Sequence, residues 1–447
     1  MRKQLLLIII TICTATNVFA QPQLNQKIAA LIEKAVGLYR FNGSILVCKN
    51  GKIVFEKGYG YQDIQSKVNN TANTVFQVGS MTKQFTATVI LKLAELKKPS
   101  LDNKISVYFP QLKRGAEISI KNLLTHTSGL AEIFRDTLFL KENKQRPITR
   151  EKLLSFFINK PLYFTPGTQY AYCNSGYVLL GLIIEKVSGK TYEQNVRDYI
   201  LSPLKMTHSG FDFASLKSGQ KATGYTRFSK TKNTSTLPWD STATYSAGSL
   251  YSTAGDLYLW HKGLQNHTII SKENSAKANA PFLAGYGLGC FIDTLYKKQV
   301  ISHGGNIEGF TSYFGRIQDD DVCVILLNNI YNREIESIGT AVLAILYDKP
   351  YRFFEPIKLT AETLKKYVGT YEINTDYHIK ITRSGDRLYA QIQAGPKFEI
   401  VADKESSFFV KEEDIRIKFR INPDMTYTLV FYKGLNSKIG DRVDNKK

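Results

Sequence analysis

The chain has 447 residues, of which 43% are hydrophobic and 22% charged, and its formal net charge is +20. That balance excludes a disordered chain, a coiled coil or a collagen, and the length suffices for one large and one small domain. The positive charge favours anionic surfaces such as a cell wall. The lysines are scattered, however, with no RNA-recognition signature and no basic helix interleaved with aromatics, so a solvated basic surface is the preferred reading and nucleic-acid binding is not expected.

The long apolar run Leu5 to Ile12 is well short of the roughly 20 residues a membrane-spanning helix needs. Arg2 and Lys3 precede it and Val18-Phe19-Ala20 follows, the three regions of a secretory signal. The expectation is a signal peptide over 1–20, a mature chain from Gln21 with net charge +18 once Arg2 and Lys3 are lost, and export to the periplasm or beyond. No integral membrane segment remains after its removal. A buried N-terminal helix is the competing reading of the run. Cys13 leaves with the signal, and Ile12 is too large for a good lipoprotein cleavage box.

Helical periodicity is predicted over 24–36, then a hairpin in which Asn50-Gly51 joins two β-branched runs, 43–49 and 52–56. Ser80 follows a strand-like Val75 to Gly79 and opens a mostly apolar helix reaching Leu96. Glycine-bearing turns then alternate with apolar helical stretches around 122–130, 167–186 and 247–264, and 321–328 returns to strand character. The mixture reads as α+β or α/β. Pro350 and Pro356 mark a boundary, after which short alternating segments separated by turns predict a small antiparallel β domain. The predicted division is 1–20, 21–348 and 357–447.

Cys48, Cys173, Cys290 and Cys323 show no CxxC pair and no metal-like spacing with histidine. No metal or other cofactor is expected, although an isolated disulfide in an oxidising compartment stays open. His261 and His267, six residues apart, do not share a helix face and read as incidental. No GxSxG, HExxH or P-loop motif occurs, which leaves a cofactor-free hydrolase as the simplest account.

A serine hydroxyl needs a nearby base to act as a nucleophile. Ser80-Met81-Thr82-Lys83 places a lysine one helical turn from a serine. The same spacing at Ser202, Ser218 and Ser229 falls in turn-like segments, and an N-cap serine with a solvated lysine is the alternative at Ser80. Tyr172 and Asn174 alternate in a loop before an apolar helix, so a phenol and an amide can face one cleft. His303-Gly304-Gly305 interrupts a strand pattern with two glycines, a mark of close backbone approach to a ligand.

Together and in this order, Ser80-x-x-Lys83, Tyr172-x-Asn174 and His303-Gly304-Gly305 resemble the motifs of the serine β-lactamase-like family, which includes class C β-lactamases, DD-peptidases and related esterases. His126-Thr127-Ser128-Gly129-Leu130, Phe164-x-Pro166-Gly167 and the 247–257 segment fit its supporting pattern, so the resemblance covers about 22–345. It implies an α+β fold with an antiparallel sheet flanked by helices, an all-helical lobe, and a C-terminal module similar to small lipocalin-like domains.

The resemblance further implies that Ser80 is acylated, Lys83 helps deprotonate it, Tyr172 relays the proton and later activates water, and Asn174 binds the acyl side chain. Backbone amides of Ser80 and Asn306 would form the oxyanion hole, each donor supplying about 3 kcal/mol. His303, with Gly304 and Gly305, would orient a substrate carboxylate or assist proton transfer. Class C enzymes usually carry Lys-Thr-Gly where this chain has His303-Gly304-Gly305. The loss of a permanent ammonium favours a peptidase, amidase or esterase over an efficient antibiotic hydrolase. Cys173, where the family commonly has serine or alanine, is expected to add a reactive thiol near the site. The expected substrate is a small molecule or peptide, foremost a D-amino-acid peptide or ester; a class C-type β-lactamase and a penicillin- or peptide-binding sensor are the alternatives.

Overall fold

A computed structural model describes residues 22–374, 377–411, 413, 415–433 and 436–443. The signal expected over 1–20, with Cys13 in it, lies outside the described residues. The chain forms two compact units that do not follow it linearly. The first comprises the chain up to Ile28 with Asn42–Gly224 and Ser235–Asn329, the second Ala29–Phe41, Tyr225–Thr234 and Ile330–Lys447.

In the first unit, strands β1 (Gly43–Lys49) and β2 (Lys52–Tyr59) form the expected hairpin. Asn50 and Gly51 both take positive φ, 52° and 70°, the backbone that a two-residue turn needs to match strand twist. Strands β3 (Phe291–Leu295), β4 (Lys298–Ile307), β5 (Phe310–Ile317) and β6 (Val322–Asn328) complete an antiparallel sheet of order β2-β1-β6-β5-β4-β3 among the described residues. The run Val322-Cys323-Val324-Ile325-Leu326-Leu327 is buried throughout, as is β5, so these strands are covered on both faces and read as continuous rather than alternating apolar sequence.

Three helices pack on one another to build the helical lobe: α1 (Thr82–Glu95), α2 (Asn174–Ser188) and α3 (Ser241–Gly248). Nearly every residue of α1 from Thr82 to Leu93 is buried, including the polar Thr82, Lys83, Gln84, Thr86 and Thr88, so protein surrounds this helix on all sides. A fourth helix, α4 (Ala254–Gln265), packs against β1 and β6. It carries Trp260, whose ring stacks on Phe85 at 4.3 Å between centroids. His261, on the same helix, is fully buried and hydrogen-bonded through Nε2 to Asp321 Oδ1 at 2.8 Å, which corrects the reading of this histidine as incidental.

In the second unit, eight antiparallel strands from Gly369–Asn374 to Asn436–Arg442 close into a barrel, the first pairing with the last at Tyr371–Arg442 and Glu372–Asp441. Eight strands leave an interior just wide enough for side chains. Tyr371, Ile379, Leu388, Ile400, Phe419 and Leu429 belong to its buried core. Arg40 is anchored in this unit by hydrogen bonds to the carbonyls of Val410 at 3.0 Å and Glu413 at 2.6 Å. No helix among the described residues is long and apolar enough to cross a membrane.

Candidate active site

Ser80 sits in a single 3-10 turn, Gly79–Met81, that leads into α1. The turn is clamped on both sides. Val78 donates its N–H to the Leu250 carbonyl at 3.0 Å, and Leu250 in turn donates to Thr82 Oγ1 at 3.1 Å. On the sheet side, Ser312 Oγ donates to the Val78 carbonyl at 2.8 Å. Gly305 makes this approach feasible, because a Cβ there would fall 1.8 Å from the Val78 oxygen. The backbone nitrogen of Asn306 lies 3.0 Å from where a Cβ on Gly79 would stand. The amides of Ser80 and Asn306 are therefore close neighbours, which is what two donors to one oxyanion require.

Lys83, one turn along α1, is completely buried. Its Nζ reaches three oxygens: Ser80 Oγ at 2.9 Å, Asn174 Oδ1 at 2.8 Å and the Ala247 carbonyl at 2.7 Å. Burial lowers its pKa to about 7, with the charge of Glu132 opposing the shift. Near neutral pH a large fraction of the amine is uncharged. It then has two hydrogens and one lone pair, and since the amide and backbone oxygens can only accept, the hydrogens go to Asn174 and Ala247 and the lone pair faces the Ser80 hydroxyl.

Tyr172 and Asn174 reach the same place from the entrance of α2, Asn174 as its first residue rather than in extended backbone. Lys83 Nζ lies 5.0 Å from the centroid of the Tyr172 ring. Burial pushes the Tyr172 phenol well above its ordinary range, the Ser80 hydroxyl pulling the other way, so Tyr172 stays protonated and can relay a proton but not hold a phenolate charge. Behind it lies the ring of His126, with centroids 4.1 Å apart. His126 accepts the Cys173 N–H on Nδ1 at 3.0 Å, and burial lowers its pKa well below the usual value.

Glu132 is the residue that motif reading missed. Its carboxylate accepts the Asn174 backbone N–H at 2.5 Å and the Asn174 Nδ2–H at 3.0 Å. This fixes the amide so that Oδ1 faces Lys83. Asn174 thus positions the lysine, and one N–H of its amide remains for a ligand. The sequence signal for Glu132 is weak, a lone carboxylate just beyond the His126 to Leu130 segment.

One expectation is corrected here, that of a reactive thiol at Cys173. His303 is buried, with Nδ1–H donating to the Gly304 carbonyl at 2.5 Å and Nε2 accepting from the Tyr286 hydroxyl at 3.0 Å. Burial lowers its pKa to about 3, with the Lys83 charge adding to the shift, so it is neutral at pH 7 and both nitrogens are engaged within the protein. It does not present a cation to a substrate carboxylate. Cys173 is buried, its thiol donating to the Leu130 carbonyl at 3.4 Å, and burial pushes its pKa up to about 12. A thiol so placed is inert.

Ser80, Tyr172, Asn174 and Gly304 are partly exposed and Asn306 is exposed, while Lys83 is buried. The sequence profile described as beta-lactamase matches residues 26–345. The chain belongs to the β-lactamase family. It is a serine hydrolase of the β-lactamase and DD-peptidase type. A second profile, a domain of unknown function (DUF3471), matches 355–441.

A putative penicillin-binding protein PbpX of Bacillus subtilis (strain 168) is 32% identical over 309 residues, 69% of this chain and 74% of its own. A solved octameric penicillin-binding protein homologue from Pyrococcus abyssi shares 26% identity at a TM-score of 0.68, covering 93% of this chain and 99% of its own. The D-amino acid amidase from Ochrobactrum anthropi SV3 superposes at a TM-score of 0.66 with 23% identity, over 73% of this chain and 99% of its own, a likeness of fold.

Proposed function

We propose that the protein is exported and hydrolyses an amide or ester bond through an acyl-enzyme on Ser80, the substrate being a D-amino-acid peptide of cell-wall type or a related ester. The observation that carries this reading is the Lys83 amine, buried, brought to a pKa of about 7 and 2.9 Å from Ser80 Oγ. A base poised near the working pH combines availability with driving force for proton transfer.

In the proposed sequence, Lys83 takes the Ser80 proton as Oγ attacks the carbonyl carbon. The oxyanion is held by the N–H groups of Ser80 and Asn306. On collapse the Tyr172 hydroxyl passes a proton to the leaving nitrogen or oxygen and is recharged from Lys83, and the acyl group stays on Ser80. Water then attacks the ester, its proton travelling by the same groups, and Ser80 is released. Every step uses side chains or amides of this chain and needs no cofactor. Glu132 and Asn174 keep Lys83 aimed.

The neutral, internally bonded His303 argues for substrates that do not depend on a cation at the carboxylate position. Export rests on the charged, apolar and small-residue pattern of 1–20. The basic surface suits an anionic wall, and 357–447 is proposed as a separate β module without catalytic residues. The name of the penicillin-binding relative favours one second reading, acylation by penicillin with little turnover.

An intact-mass time course with a penicillin, a short ester and a D-alanyl-D-alanine peptide, run beside Ser80→Ala, tests the proposal. Ser80-dependent turnover of ester or peptide with slow penicillin acylation is expected. A persistent Ser80-penicillin adduct without ester or peptide turnover would support the second reading. Rapid drug hydrolysis would make the protein a β-lactamase, and turnover by Ser80→Ala would remove the mechanism.

A further inference from the structure

Away from Ser80, the register of the sheet sets Cys48 on β1 directly opposite Cys323 on β6, and α4 lays His261 against these two strands. All three side chains are fully buried, and a ring nitrogen of His261 and the two sulfurs lie within 4.8 Å of one another. The Cys48 thiol donates to the Asp321 carbonyl at 3.5 Å. The histidine carries the informative detail. Its Nε2 is held by Asp321 Oδ1 at 2.8 Å, and Asp321 is also 3.6 Å from Lys262 Nζ, whereas Nδ1, equally buried, has no hydrogen-bond partner among the described residues.

An unpartnered nitrogen sealed in a core is costly, and it belongs to a ring whose other nitrogen is engaged by a carboxylate. A carboxylate on the far nitrogen is the arrangement that orients a metal-ligating histidine and fixes which nitrogen faces the ion. Two sulfurs within 4.8 Å of a nitrogen of this ring supply the remaining soft donors. We propose that Cys48, Cys323 and His261 Nδ1 form a binding site for a thiophilic divalent cation of the zinc class, with Asp321 orienting the histidine.

Charge and distance are consistent with this. On binding, both thiols give up their protons to solvent, so two thiolates and a neutral imidazole meet a dication and the buried cluster is electrically neutral. With Zn–S near 2.3 Å and Zn–N near 2.0 Å, ligand atoms of a tetrahedral site stand roughly 3.5 to 3.8 Å apart. Inward adjustments of at most about 1.3 Å between ligand atoms close the set, and water fills the fourth place. The ion would tie α4 to β1 and β6 of the sheet. None of its ligands belongs to the Ser80 cluster, so the proposal stands independently of the substrate reading.

The test is the zinc content of the full chain, purified under reducing conditions with Zn2+ and dialysed against metal-free buffer, together with the absorption of the Co2+-substituted protein. About one equivalent of zinc, a thiolate-to-cobalt charge-transfer band, and protection of Cys48 and Cys323 from alkylation are expected. Cys290→Ser retains the metal, His261→Gln and Cys323→Ser lose it, and Asp321→Asn binds about tenfold more weakly. Ser80 acylation by a short ester is the same with and without the ion. The wild-type zinc content decides the matter even where a variant fails to fold. Absence of zinc, retention unaffected by His261→Gln, or a Cys48–Cys323 disulfide in protein prepared with zinc would overturn the proposal.

Discussion

The Lys83 cluster and the His261 cluster are buried polar groupings of one unit, and they answer the cost of burial in opposite ways. Lys83 Nζ has an oxygen for each of its three bonding directions, and one of these, Ser80 Oγ, is partly exposed. Desolvation there is expressed as a lowered pKa, and the cluster leads outward to the Ser80 hydroxyl. The His261 cluster is closed, with three fully buried side chains and one ring nitrogen left unpartnered. A satisfied group with a shifted pKa points to proton transfer, while an unsatisfied one beside soft donors points to a ligand.

That contrast is broken most severely at the nucleophile. Ser80→Ala is expected to lower turnover of a Ser80-acylating ester by about 10³-fold or more while leaving the circular dichroism spectrum and thermal midpoint close to wild type. Lys83→Ala should cost nearly as much in the acylation rate, because Tyr172, which also interacts with the Ser80 hydroxyl, is held protonated by burial and is a poor base. A burst experiment that found acylation intact in Lys83→Ala would move the role of base to another group.

Glu132→Gln sharpens the comparison with a smaller effect. The variant loses the carboxylate that orients Asn174 and the negative charge that supports the protonated lysine. A drop of about tenfold in kcat, with little change in KM, and a pH–rate profile displaced to lower pH are expected. An unmoved profile would assign Glu132 to structure alone.

His303 provides the gentlest test, in stability rather than activity. Its pKa is about 3 in the fold against about 6.5 free, so between those values the unfolded chain binds more protons than the native one. Its stabilising contribution is full above pH 6.5 and declines as pH falls toward 3, by an amount on the order of a few kcal/mol. His126, lowered in the same direction, adds to the trend. Denaturant titrations of His303→Gln between pH 7 and 4 should show a shallower loss of stability than wild type, and parallel curves would contradict the buried neutral state.

Local spacing carried much of this. Asn50-Gly51 could make only a tight hairpin between its flanking runs, and Ser80 and Lys83 came onto one face once the turn 79–81 ran directly into the helix 82–95. The Tyr172-x-Asn174 pair was legible because it stands at a helix entrance. Glu132 was not, since its importance arises from a contact with Asn174 across 42 residues. Nor was the state of His303, which depends on Tyr286 coming from a separate segment to take its second nitrogen. Cys48, His261 and Cys323 are joined by strand register and helix docking, to which sequence spacing is blind.

The central claim is that a buried neutral amine at Lys83 activates Ser80, and the pH dependence of single-turnover acylation by a short chromogenic ester between pH 5 and 9 tests it most directly. The rate should climb about tenfold per pH unit below pH 7, level off above it in step with the Lys83 pKa of about 7, and vanish in Ser80→Ala. A rate that is flat across this range, or one that survives in Ser80→Ala, would contradict the account.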